Sequence, residues 1–137
     1  MSCPCFSPSH PRGAEPGAKG LLAPLGDLYA GACLADPGDP VAQEDAQLTL
    51  CNLGYARGEC ARVPAGAADA VRFALARDDG QALEVHYVIE RGHHPVEHGT
   101  FLYRLADQTI SNAPLNEPFR AQASAYAASY LRRKAAS

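Results

Sequence analysis

From residue 69 the chain adopts a strict two-residue alternation, and that pattern constrains its fold more than any other feature. Val71, Phe73 and Leu75 alternate with Arg72, Ala74 and Ala76, and Leu83, Val85, Tyr87 and Ile89 alternate with Glu84, His86, Val88 and Glu90. Successive strand residues point to opposite faces, so each run predicts a strand with one apolar face. Asp78-Asp79-Gly80 between them is a hairpin turn, because glycine enters the left-handed region without penalty. Thr100 to Ala106 gives a third strand, with Phe101, Tyr103 and Leu105 on one face. An antiparallel meander of three strands needs a cover for its apolar side. Pro118 to Lys134 provides one, as a helix on which Phe119, Ala123, Tyr126 and Tyr130 share a stripe, with Asn116 capping it or Glu117 beginning it.

The first half reads differently. Residues 7–26 contain Pro8, Pro11, Pro16 and Pro24 with Gly13, Gly17, Gly20 and Gly26, which predicts a loop or partly disordered arm. Asp39 and Pro40 suit an N-cap and a first helical position, so a short helix is expected from about Pro40 to Cys51, ended by Asn52 and Gly54. The fold class that follows is α+β: an irregular cysteine-rich half (1–65) with one short helix, then a βββα half (66–137) of a three-stranded antiparallel meander and a C-terminal amphipathic helix. The length suits one domain, 1–137. Its core has little large apolar material, since 26 alanines stand against 22 Val, Ile and Leu together, and Ala buries little area. Such a chain gains from a cross-link or a metal.

All five cysteines fall in the first 60 residues, at Cys3, Cys5, Cys33, Cys51 and Cys60. The N-terminus shows neither a basic start nor an apolar stretch of a secretory signal, and no run approaches a membrane span, so a cytoplasmic location is expected. In that compartment clustered thiols serve metals or redox chemistry more often than disulfides. Four thiolates satisfy a tetrahedral zinc ion or a 4Fe-4S cluster. The gaps between Cys3, Cys33, Cys51 and Cys60 are wide for zinc, whose ligands usually come in close pairs, and a larger cluster tolerates ligands from separate loops, which favours iron-sulfur slightly. Gly31 and Gly54 permit turns that aim N–H groups at sulfur, and Arg57 offsets thiolate charge. The plainer reading makes Cys33 and Cys51 small buried hydrophobes and leaves Cys3 and Cys5 on a frayed terminus.

Three stretches, Cys3-Pro4-Cys5-Phe6, Tyr29-Ala30-Gly31-Ala32-Cys33, and Cys51-Asn52-Leu53-Gly54-Tyr55-Ala56-Arg57-Gly58-Glu59-Cys60 followed by Pro64, together resemble a motif of small bacterial proteins. Those proteins begin with Cys-Pro-x-aromatic and continue through a spaced cysteine to Cys-Asn-x-Gly-Tyr-Ala-x-Gly-x-Cys-x-x-x-Pro. The resemblance spans about the first 65 residues and carries no activity. It implies that Cys3, Cys33, Cys51 and Cys60 act as a set, with Cys5 a bystander or substitute ligand.

A second group, His93, His94, Glu97 and His98, lies in the stretch expected to loop between strands two and three. Three histidines and a carboxylate suit a borderline metal, or a small hydrolase or redox enzyme, although exposed His/Glu clusters are commonly just solvated and Pro95 interrupts any helix there. A third possibility is a non-catalytic protein-interaction module using the meander's open edge. The charge of −3 divides as four basic against seven acidic residues over 1–68 and eight against eight over 69–137, which is no nucleic-acid footprint. Phosphate-binding glycine loops are absent. The expected function is therefore metal or iron-sulfur binding by four thiolates, structural with a sensing role, with an unidentified protein as the conceivable partner.

Overall fold

The computed structural model describes residues 2–11, 24–26, 29–33, 51–52, 68–114 and 116–136. Among them, six strands and a helix follow in the order β1 (Phe6–Pro11), β2 (Tyr29–Cys33), β3 (Ala70–Asp78), β4 (Ala82–Arg91), β5 (His94–Arg104), β6 (Ile110–Ser111) and α1 (Glu117–Ala136). The alternation seen in the sequence becomes antiparallel pairing, with Phe73 opposite Tyr87 and Val85 opposite Phe101. The sheet is four-stranded rather than the three-stranded meander expected, because Ile110 and Ser111 add β6 beside Tyr103 and Leu102. Two residues are too short a run to show a period. Asp78 and Asp79 close the first hairpin with their own carboxylates, which accept from the N–H groups of Gly80, and of Gln81 and Ala82, respectively.

The core lies on one face of this sheet. Phe73, Tyr87 and Phe101 meet Phe119 of α1, and the Tyr87 and Phe119 rings stand edge to face with centroids 4.9 Å apart. Asn116 caps the helix by accepting the Phe119 N–H at 2.8 Å. Phe119 and Ala123 are fully buried as the stripe requires, whereas Tyr126 and Tyr130 are half-buried and use their phenols. Tyr126 accepts the Leu75 N–H at 3.0 Å, and Tyr130 donates to the Asp78 carboxylate at 2.7 Å beside Lys134, which reaches the same oxygen. The far end of the helix is thus pinned to β3. No helix among the described residues is long and apolar enough to cross a membrane.

The first half departs from expectation where it is described. Residues 7–11, read as loop, belong to β1, which pairs with β2 in a separate two-stranded sheet. Its prolines are tolerated because this is an edge ribbon: the register shifts between Pro8 and His10, and Pro11 is the last strand residue. Of the helix expected over Pro40 to Cys51, only Cys51 falls within the described residues.

Candidate functional site

Cys3-Pro4-Cys5-Phe6 forms a tight turn in which the Phe6 N–H donates to the Cys3 carbonyl at 3.1 Å. Proline suits the position after Cys3, where its fixed φ matches the turn. The turn is tied on every side. Ser2 exchanges backbone hydrogen bonds with Val71 at 2.8 and 2.7 Å, which joins the chain to the edge of β3. The Cys3 N–H donates to the Cys51 carbonyl at 2.9 Å. Gln122, wholly buried on α1, donates from its amide nitrogen to the carbonyls of Cys3 at 2.7 Å and Phe6 at 2.8 Å, while its oxygen accepts from the Ser2 hydroxyl. One side chain therefore clamps both ends of the turn.

Cys51 is held by a second clamp. Asn52 reads Tyr29 as a strand neighbour would: its side-chain oxygen accepts the Tyr29 N–H at 2.9 Å and its nitrogen donates to the Tyr29 carbonyl at 3.0 Å. That fixes Cys51 beside the first residue of β2, while Cys33, at the other end of the strand, pairs with Phe6. Tyr29 in turn donates its phenol proton to the Ala125 carbonyl at 2.8 Å, shares a hydrogen bond with Ser129, and accepts from Arg132 at 2.8 Å. Gly31 serves this assembly through its missing side chain: a Cβ there would stand 2.1 Å from the Ser7 carbonyl oxygen. Its φ is not in the left-handed region, so the expected turn-making role is corrected to one of close strand approach. Gly54, Arg57 and Cys60 lie outside the described residues.

Cys3, Cys33 and Cys51 are all buried, at 8, 6 and 7% exposure, and Cys5 is half-buried. No disulfide joins the described cysteines. The Cys3 thiol donates to the Cys5 sulfur, which raises the Cys3 pKa well above a thiol's ordinary value, with burial and the neighbouring Cys51 pushing the same way. The same hydrogen bond lowers Cys5 to about 7. Soft, buried sulfur is the right donor chemistry for zinc or an iron-sulfur cluster. Among the described residues, however, no group of three or more Cys, His, Asp or Glu side chains is gathered as a ligand set. Cys3 lies beside Cys5 and near Cys51, Cys33 pairs in register with Phe6, and the fourth member of the motif, Cys60, lies outside the described residues.

The histidine group fares differently. Residues 94–98 are not a loop: they form the start of β5, and the turn contracts to Gly92 and His93. The register sets Glu97 opposite Ile89 and His98 opposite Val88, so these neighbours face opposite sides of the sheet. His93, His94, Glu97 and His98 are all exposed. Nearby, buried Asp69 accepts the Gly92 N–H at 2.8 Å and secures the turn.

Gln122, Asn52 and Tyr29 were not foreseen as parts of the site. Gln122 and Ser129 sit on the helix face that also carries Phe119 and Ala123, and a polar residue on an apolar stripe was the available signal. Compared with known protein families, with curated proteins and with solved structures, the chain matches none.

Proposed function

We propose that the chain is a non-enzymatic thiolate protein that binds zinc or an iron-sulfur cluster through Cys3, Cys33, Cys51 and Cys60, with a structural role on which redox or metal sensing is built. The observation that carries this reading is the approach of two buried cysteines from segments far apart in sequence, Cys3 and Cys51, joined by a backbone hydrogen bond, with a third buried cysteine, Cys33, at the end of β2 that pairs with Phe6. A bound metal would cross-link segments far apart in sequence, and a cluster would add one-electron chemistry.

The test is anaerobic purification followed by metal and sulfide analysis and a visible spectrum, for wild type and Cys51→Ser. Iron, sulfide and a broad visible absorption, all lost in the variant, identify a cluster. Stoichiometric zinc with a colourless protein makes the site purely structural. A chain that binds neither refutes the proposal.

A further inference from the structure

We infer that the Cys3-Pro4-Cys5-Phe6 turn is a preorganised dithiol, which small-molecule disulfides such as oxidised glutathione convert to a Cys3–Cys5 disulfide. The inference goes beyond the metal reading, which leaves Cys5 without a defined task. It stands on three features of the geometry. The turn closed by the Phe6 N–H to Cys3 carbonyl bond sets the two cysteines at its first and third positions, close enough in the backbone for their side chains to be joined. The backbone that carries them is held by the Phe6 N–H to Cys3 carbonyl bond, by Gln122 at both ends, and by Cys51 at the Cys3 N–H. None of these backbone ties uses a sulfur, so joining the sulfurs removes none of them.

Burial sets the order of events. Cys5 is half-exposed and Cys3 is buried, so an incoming disulfide reaches Cys5 first. The Cys5 thiolate attacks one glutathione sulfur; a bond forms between them, the glutathione S–S bond breaks, and one glutathione thiolate leaves and takes a proton from water. Cys3 then attacks the Cys5 sulfur, forming the Cys3–Cys5 bond and expelling the second glutathione thiolate, which receives the Cys3 proton. Two protein thiols are oxidised and one small disulfide is reduced to two thiols. Because Cys3 is common to both, this disulfide and a metal at Cys3 exclude each other.

The full-length chain, as purified and after metal chelation, is incubated with oxidised glutathione, alkylated and cut with trypsin. The fragment Met1–Arg12 carries Cys3 and Cys5 and no other cysteine. The expected fragment from chelated wild type is lighter by two hydrogens and free of adduct, while in Cys3→Ser it accumulates as a glutathione adduct and in Cys5→Ser it does neither. Ring closure in the folded chain outpaces that in urea by at least about tenfold, the benefit of a fixed turn. A fragment with both thiols alkylated after chelation, a persistent mixed disulfide in wild type, or equal rates folded and unfolded overturns the inference. Closure only after chelation upholds it and places metal on Cys3. A chain purified without metal that still closes the ring refutes the metal reading and leaves this one intact.

Discussion

Gln122 spends its side-chain oxygen and nitrogen on three hydrogen bonds to a turn more than a hundred residues away, and no water can replace them in a site with no exposed surface. Gln122→Ala therefore removes three buried hydrogen bonds, leaving the Cys3 carbonyl with only the Phe6 N–H and the Ser2 hydroxyl with only the Val71 carbonyl, and the expected loss of stability is about 3 kcal/mol, read as a lower urea midpoint. A change below about 0.5 kcal/mol would show that the clamp is dispensable. Gly31 makes the complementary case, because adding one methyl group drives it into the Ser7 carbonyl. Gly31→Ala is expected to separate β1 from β2 and to cost roughly 2 kcal/mol or more, with faster amide exchange confined first to those two strands. Neither residue announces its role in the sequence. A glutamine at a helix position and a glycine next to a cysteine are ordinary until the distant partner is known.

At the level of elements, the last turn of α1 is fastened to the first hairpin through Asp78. Lys134 hydrogen-bonds the Asp78 carboxylate, with Tyr130 and the Gly80 N–H adding to it, and together they hold its pKa down at about 2 against an ordinary 3.8. A carboxyl depressed in the folded state contributes its stability above the unfolded value and loses it as pH falls through the folded one. The melting temperature of wild type should thus exceed that of Asp78→Asn at neutral pH, and the difference should shrink from pH 3.8 down towards about 2. An undiminished gap at the lower limit would mean that geometry rather than charge anchors the helix. The strands β3 and β4, the hairpin turn and the helix were all legible in the sequence, because period two, Asp-Asp-Gly and a four-residue apolar spacing are local signals. The two-residue β6 and the strand at Phe6–Pro11 were not. Their residues pair only because other parts of the chain present edges to them, and prolines in β1 argued locally for a loop. The start of β5 was missed for a related reason: its histidines and Glu97 are exposed on both faces, so no buried side existed to produce an alternation.

On the scale of the whole molecule, α1 is the element that both sheets share. Phe119 faces the aromatic residues of the four-stranded sheet, while Gln122, Ala125 and Ser129 serve the turn and Tyr29. The grouping of cysteines in the first half was legible in the sequence, yet the tie between Cys3 and Cys51 was not, since it runs through backbone groups and is held by Asn52 and Gln122. Metal removal should expose this division. Chelation is expected to speed amide exchange in β1, β2 and at Cys51 while the centres of β3, β4 and β5 keep their protection, as hydrogen exchange with mass spectrometry would record. Equal protection with and without chelator, at an unchanged melting temperature, would remove the structural role of any metal.

The shared helix also sets a timetable for biosynthesis. Tyr29 meets Ser129 across 100 residues, and Cys3 meets Gln122 across 119. A ribosome adds about 5–20 residues each second, so many seconds separate the emergence of these partners. Throughout that interval the first cysteines have no buried glutamine to receive them, and contacts of such long sequence separation form late. The nascent chain consequently presents its first cysteines before residues 117–136 exist to bury them, and those thiols are enclosed only when the helix finally docks.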